Sequence, residues 1–379
     1  MDKVKIVHCA DLHFDTPFSD LDTKLSKIRQ DELRDTFSKI IHLCKVKNAE
    51  ILLIAGDVFD NSSVKKITLQ FLKEKFMEIP EVRIFIVAGN HDPLNNRSFY
   101  NMIDWPSNVH IFSNQFESVV IEELNTVVIG ASFKESYEKK SLLRDYNSDN
   151  SFQKYIKLMI LHGDVSQVED GNEYNPITET EIARTSVDYL ALGHKHAFSG
   201  IKRSGNTFYA YCGCPEGRGY DELGEKGVII GEVYRENVQL EFVPTNKRNY
   251  KELQVDVSGI ISKEGIVKRV LSEVDSNSIN DIYRILLKGE IDEDFVVDIN
   301  SLQNSLERYF FSVKVKDDTT IKVDVNKLSK EYSIKGLFSA KMLEKINTAA
   351  NEEEKEKLIR AFKIGLQSLS KEEVNLGDN

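Results

Sequence analysis

The chain has 379 residues, 41% hydrophobic and 29% charged, with a formal net charge of −11. Such a length exceeds one ordinary core, so two or three domains are expected, and the composition excludes a disordered chain. No apolar run approaches the roughly eighteen residues of a membrane span, and the acidic average excludes a surface coated with basic side chains for nucleic acid.

In chain order, Met1-Asp2-Lys3 passes directly into Val4–Ala10, an apolar run that reads as a strand and ends in Asp11-Leu12-His13. With no basic leader region before that strand, a cytoplasmic protein is expected. Ile28–Val46 follows, with Ile28, Leu33, Phe37, Ile40, Ile41 and Leu43 marking one helical face. Ile51–Ala55 then runs into Gly56-Asp57, and Arg83–Ala88 into Gly89-Asn90-His91-Asp92. Lys157–Leu161 precedes His162-Gly163, and Tyr189–Leu192 precedes Gly193-His194-Lys195-His196. Short continuous apolar runs of this kind are buried strands. Alternating with helices, they predict an α/β domain whose ligands gather at the carboxyl ends of the strands.

One histidine after a strand is usually structural. Here His13, His91, His162, His194 and His196 all sit in such tips, beside Asp11, Asp57 and Asn90, which points to one shared site. Gly56, Gly89, Gly163 and Gly193 stand where a strand turns sharply or backbone approaches a ligand closely. His8, His42 and His110 belong to no tip; His8 and His42 are assigned no role, and His110, after a Pro-Ser-Asn turn, reads as structural. Cys9, Cys44, Cys212 and Cys214 form no CxxC pair and read as buried reduced thiols.

After His196 the alternation of Asn206–Cys214 and Gly227–Val243 predicts hairpins that complete a second sheet, the latter turning at Arg235-Glu236-Asn237. Glu216–Gly227 reads as a loop, either beside the site or plain surface. The basic strip Asn246–Lys251, with Tyr250, either tracks a phosphate backbone or is a solvated linker. Residues 252–316 read β-α-β-α-β, with strands around Leu253–Val257, Ile282–Leu287 and Phe310–Val315. Helices are expected around Gly265–Val274 and Ser301–Tyr309. Two more follow: Phe338–Ala350, then one capped by Asn351 with Leu358, Phe362, Leu366 and Leu369 as its apolar stripe. The expected domains are 1–245, 252–320 and 325–379.

The ordered set Asp11-x-His13, Gly56-Asp57, Gly89-Asn90-His91-Asp92, His162-Gly163 and Gly193-His194-x-His196 resembles the five motifs of the calcineurin-like metallophosphoesterases. Gly56-Asp57-Val58-Phe59-Asp60 and Tyr211-Cys212-Gly213-Cys214-Pro215-Glu216 narrow the likeness to SbcD-type nuclease subunits of double-strand-break repair and their YhaO-like relatives. The resemblance implies an α/β two-sheet sandwich flanked by helices, then a small α+β capping domain and a helical segment. It implies that Asp11, His13, Asp57 and His196 hold one divalent ion. Asp57, Asn90, His162 and His194 would hold a second, with Asp57 bridging. Mixed oxygen and nitrogen ligands without thiolate fit Mn2+, and iron and zinc are also compatible. Two ions roughly 3.5–4 Å apart activate a shared water and neutralise phosphate oxygens.

The same resemblance assigns His91 to phosphate contact and protonation of the leaving oxygen. Asp92 either orients the His91 ring or caps a helix start. Archaeal and eukaryotic relatives carry a second active-site histidine where this chain has Asp60-Asn61, so a two-histidine mechanism is not expected. Three readings follow. The first is a DNA exonuclease or endonuclease acting in DNA repair, forming homodimers and docking an SbcC-like coiled-coil ATPase through its last two helices. The second is a phosphodiesterase for small or cyclic nucleotide phosphoesters. The third, not enzymatic, is a scaffold with a structural metal site.

Overall fold

The computed structural model describes residues 2–60, 64–144, 146–166, 173–276, 278–292, 295–322, 328–329 and 332–370. Two compact units divide the chain, Met1–Asn249 and Tyr250–Asn379. In the first, β1 (Lys3–Cys9), β2 (Ile51–Ala55), β3 (Arg83–Val87) and β4 (Val109–Ile111) run parallel in one sheet. A second sheet holds β5 (Glu117–Ile121), β6 (Thr126–Gly130) and β7 (Ile156–His162). Between its later strands lies a short ribbon, β8 (Asp164–Val165) with β9 (Pro176–Ile177). The second sheet then adds β10 (Tyr189–Gly193), β11 (Lys202–Ser204) and β12 (Thr207–Tyr211), in the order β11-β12-β10-β7-β6-β5. Strands β13 (Gly227–Tyr234) and β14 (Asn237–Pro244) complete the first sheet, ordered β14-β13-β1-β2-β3-β4.

That last pairing corrects one expectation. The hairpin Gly227–Val243 does not join the second sheet; β13 lies antiparallel to β1 and extends the first. Alternation announces a strand pair but carries no information about which free edge it finishes.

The strands are apolar on both faces because both faces are covered. Ile6, Leu53, Phe85 and Val87 of one sheet meet Leu158, Ile160, Tyr189 and Ala191 of the other between the layers. On the outer face of the first sheet, Val7, Leu52, Ile54 and Ile86 pack under α1 (Thr23–Val46) and α2 (Lys66–Met77) through Leu33, Phe37, Ile40, Leu72 and Phe76. Helix α3 (Glu179–Thr185) covers the second sheet through Ile182. Sheet on sheet with outer helices is the expected architecture. Each Leu-sized side chain so buried contributes about 1.5–3 kcal/mol.

His8 spans the two sheets. Its ring is fully buried, Nδ1 accepting from the Tyr189 hydroxyl at 2.9 Å and Nε2 donating to the Leu192 carbonyl at 3.2 Å. Burial, partly offset by that carbonyl, pulls its pKa down to about 3. An unfolded chain takes up this proton near pH 6.5, whereas the folded chain refuses it until about pH 3. Stability from His8 is therefore fully present above pH 6.5 and is lost as pH falls towards 3, by about 1.4 kcal/mol per pH unit. Urea midpoints between pH 7 and pH 5 should fall more steeply in the native chain than in His8→Gln. Parallel curves would contradict this account.

The second unit opens with β15 (Tyr250–Asp256), β16 (Ile282–Lys288) and β18 (Ser312–Asp317) in one parallel sheet; β17 (Glu290–Ile291) and β19 (Thr320–Ile321) form a two-residue ribbon. Helices α4 (Lys263–Glu273) and α5 (Ile299–Leu306) bury Ile266, Val270, Leu302 and Leu306 against Val255, Ile285 and Val315. Parallel strands with helical crossovers give this small unit its β-α-β-α-β order. Helices Ile334–Asn347 and Glu352–Ser370 belong to the same unit. Asn351 accepts from the Glu354 amide at 2.8 Å, the cap its sequence announces. Phe338 faces Phe362, and a Cβ at Gly365 would lie 2.1 Å from the tip of the Phe338 ring, so the ring in this position packs directly over glycine. Of the apolar stripe, Leu366 is buried while Leu369 stays exposed, as do Ile334, Leu337, Ile359 and Ile364. Among the described residues no helix is long and apolar enough to cross a membrane.

Candidate metal centre

Strands β1, β2 and β3 of one sheet and β7 and β10 of the other bring their carboxyl ends to the same edge of the sandwich. The backbone bends sharply there. Asp11, His13, Asp57 and His194 adopt left-handed φ values of 52°, 46°, 50° and 107°. Such conformations are uncommon for residues with a side chain, and the strain they store is typical of sites where function sets geometry. Two glycines make the approach possible. A Cβ at Gly89 would sit 2.2 Å from Asp57 Oδ1, and one at Gly193 would sit 1.8 Å from the Ala55 carbonyl oxygen.

The seven residues singled out as ligands converge. Asp57 Oδ2 lies 3.4 Å from His162 Nε2 and 3.7 Å from His13 Nε2. His196 Nε2 is 3.3 Å from His13 Nε2 and 3.9 Å from Asp11 Oδ1. Asn90 Oδ1 completes the other side, 2.9 Å from His162 Nε2 and 3.3 Å from His194 Nδ1. Asp11 and Asp57 are also fastened to the chain, Asp11 accepting from the His194 amide and Asp57 Oδ1 from the His91 amide. His162 donates Nδ1–H to the Ala55 carbonyl at 2.9 Å, which turns Nε2 towards Asp57 and Asn90.

The electrostatics match a site built for cations. Burial pushes the Asp11 carboxyl up. Burial also pulls His13 and His194 down to about 4, with Arg218 and His162 respectively adding repulsion. For His162 burial acts downward too, but the neighbouring Asp57 and Asp11 carboxylates outweigh it and raise the pKa to about 9. Among the described residues His13 Nδ1 is buried without a hydrogen-bond partner. His13 and His194 are thus held neutral, while His162 carries a proton drawn there by the carboxylates, which a cation beside Asp57 and Asp11 would displace; oxygen and nitrogen donors of this kind fit divalent ions. Asp11–His13–His196, Asp11–Asp57–His162 and His13–Asp60–His91 each have donor atoms near enough to share an ion.

Asp92 requires a correction. Its carboxylate does not reach the His91 ring and no helix starts there. Oδ1 accepts from the Gly89 amide at 2.7 Å; Oδ2 accepts from the Val58 amide at 2.7 Å and the Tyr100 hydroxyl at 2.6 Å. Asp92 is a strut between the two tips that carry Asp57 and Asn90. The carboxylate beside His91 belongs to Asp60, whose Oδ1 lies 3.2 Å from His91 Nδ1 and 3.7 Å from His13 Nδ1. Asp60 raises the His91 pKa more than burial lowers it. Asn61, the other residue of that sequence pair, lies outside the described residues.

The loop after β12 supplies residues that sequence reasoning passed over. Glu222, almost fully buried, lies 2.8 Å from His196 Nδ1 and accepts from Arg218 through its amide and guanidinium. Lys226 Nζ donates to the His196 carbonyl at 2.9 Å. The loop is anchored by Glu216, which receives Arg29 Nη2 at 2.8 Å and the Thr36 hydroxyl at 2.8 Å in the interior. The one available signal was the glycine-rich, charged composition of 216–227, which marks a loop but not its contacts. The basic strip is largely paired with carboxylates of the fold: Arg248 forks onto Glu32, Lys251 pairs with Asp275 and Asp281, and Tyr250 is buried. It is neither a phosphate track nor a solvated linker.

A model of the calcineurin-like phosphoesterases matches residues 4–198. The chain is similar to the uncharacterized metallophosphoesterase YhaO of Bacillus subtilis, at 25% identity over 88% of this chain and 85% of that protein. It is also similar to the DNA double-strand break repair protein Mre11 of Sulfurisphaera tokodaii, at 22% identity over 98% of this chain and 100% of that one. The protein of the same name from Methanopyrus kandleri is 24% identical over 70% of this chain and 62% of its own length.

Proposed function

The chain belongs to the calcineurin-like phosphoesterase family, and we propose that within it the protein is a manganese-dependent nuclease that hydrolyses phosphodiester bonds in DNA. The observation that carries this reading is the convergence of seven oxygen and nitrogen donors from five strand ends, with His91 backed by Asp60 at the rim. Two relatives named for double-strand break repair, one aligned over nearly the whole chain, support DNA as the substrate.

Asp11, His13, Asp57 and His196 would hold one divalent ion and Asp57, Asn90, His162 and His194 the other. When bound, such a pair activates a water for in-line attack and neutralises phosphate charge. The chain's own residues do the rest. His91, partly exposed at the mouth and biased towards its protonated form by Asp60, delivers a proton to the leaving oxygen. Asp60 lies on the Nδ1 side of the ring, which leaves Nε2–H as the proton to be delivered. Asp92 and Gly89 keep the Asp57 and Asn90 tips in register.

Glu222 gives His196 its orientation, since a ligand imidazole held from behind by a carboxylate is a better and more fixed donor. Glu222→Gln should weaken manganese binding by about 10–100-fold in calorimetric titration. Unchanged affinity would refute that role. The reading as a whole is tested by comparing manganese-dependent cleavage of linear DNA with that of an aryl phosphodiester. Turnover of the small substrate alone would favour a small-phosphoester enzyme; turnover of neither in the metal-loaded chain would favour a scaffold. The exposed apolar side chains of the last two helices fit docking of an SbcC-like ATPase. Retained partner co-purification by a chain lacking 325–379 would remove that part.

A further inference from the structure

Beside the metal centre the first unit holds an open cleft of ≈ 790 Å³ that the chemistry above does not use. Four cationic side chains line it: Arg144, Arg184, Lys195 and Lys202. In a chain whose net charge is −11, four cations against two carboxylates among the described lining residues depart from the average of the surface. The two lining carboxylates among the described residues also hold the fold together. Glu181 is the return residue of the Thr178 capping box, and Glu179 accepts from the Tyr209 hydroxyl at 2.9 Å. The tyrosines of the wall are engaged as well, Tyr211 donating to the Gly163 carbonyl at 2.8 Å. Tyr209 and Tyr211 are 2% and 3% exposed, which leaves no ring face on which a base could stack.

The cleft shares its walls with the site. Lys195 lies between His194 and His196, and Val165 and Tyr211 are joined to the β7 tip just beyond His162. Lys195 is itself steadied by Asp164 at 2.5 Å and lies over the Tyr211 ring. Arg184 and Lys202, exposed on the cleft wall with Lys195 between two of the candidate ligand histidines, suit phosphate contacts, which position a strand without reading its bases. The volume matches a few nucleotides of one strand rather than a duplex.

We infer that this cleft is a backbone subsite: it seats the phosphates of a single DNA strand leading away from the scissile bond, with Arg184 and Lys202 as its outer cations. The inference rests on the nuclease reading. It is tested with fluorescein-labelled oligothymidylate in the presence of calcium, by anisotropy, as a function of salt. Binding by the native chain should weaken with salt. The double variant Arg184→Ala, Lys202→Ala should bind more weakly and show a slope shallower by about 0.7 for each phosphate it no longer neutralises. The control is Lys45→Ala, Lys47→Ala, at the C-terminal end of α1 and not among the cleft's lining residues; it should leave the slope unchanged. An unchanged slope in the cleft variant, or an equal weakening in the control, would overturn the subsite and leave the nuclease reading standing. A native chain that cleaves an aryl phosphodiester but binds no oligothymidylate would remove both.

Discussion

Asp57→Asn is expected to abolish turnover while leaving the fold in place. In the proposed ligand sets Asp57 is the shared residue, its Oδ2 lying 3.4 Å from His162 Nε2 and 3.7 Å from His13 Nε2. Its Oδ1 also accepts from the His91 amide, and an asparagine carbonyl can take over that bond, so the tip should keep its shape. What asparagine cannot supply is a negatively charged oxygen shared between two cations. Paired ions contribute several kcal/mol of charge stabilisation. At about 1.4 kcal/mol for each factor of ten, losing it lowers turnover by about 10³-fold or more. Metal content should fall from two ions per chain to one or none by elemental analysis. A variant that retains two ions and native turnover would show that Asp57 bridges nothing.

The site was legible in the sequence because each tip has a local signature, an apolar run broken by Asp, His, Asn and Gly, and because parallel strands bring their carboxyl ends together whatever their separation along the chain. His13 and His196 meet although 183 residues apart for this reason. Residues that act through partners without such a signature were not legible. Glu222 reaches His196 from an irregular loop with no periodicity, and it is buried only because Glu216 and Arg29 pin that loop down. Asp92 was misread because adjacency to His91 says nothing about where a carboxylate points. Its oxygens are taken by three donors from the Gly56–Phe59 turn and Gly89, and by Tyr100. The basic strip misled in the same way: the carboxylate that neutralises Arg248 comes from α1, 216 residues away. The hairpin at 227–243 was legible as a hairpin but not as part of the first sheet. Periodicity fixes which side chains face inward and leaves the choice of edge to packing.

His91→Ala separates proton delivery from metal binding. None of the seven donors is removed, so both ions should stay, and elemental analysis should match the native chain. Turnover on DNA should drop by about 10²–10⁴-fold, the usual contribution of a positioned acid. The leaving group sharpens the test. A deoxyribose alkoxide needs its proton as the bond breaks, whereas a nitrophenolate leaves without one, so the drop on an aryl phosphodiester should be much smaller. Asp60→Asn should show the same pattern more weakly, because His91 remains but is deprived of the carboxylate 3.2 Å from Nδ1 that favours its charged form. If His91→Ala slows both substrates equally, the ring serves in binding phosphate rather than in protonating the leaving oxygen. If it slows neither, the residue has no part in the reaction and the acid must come from elsewhere.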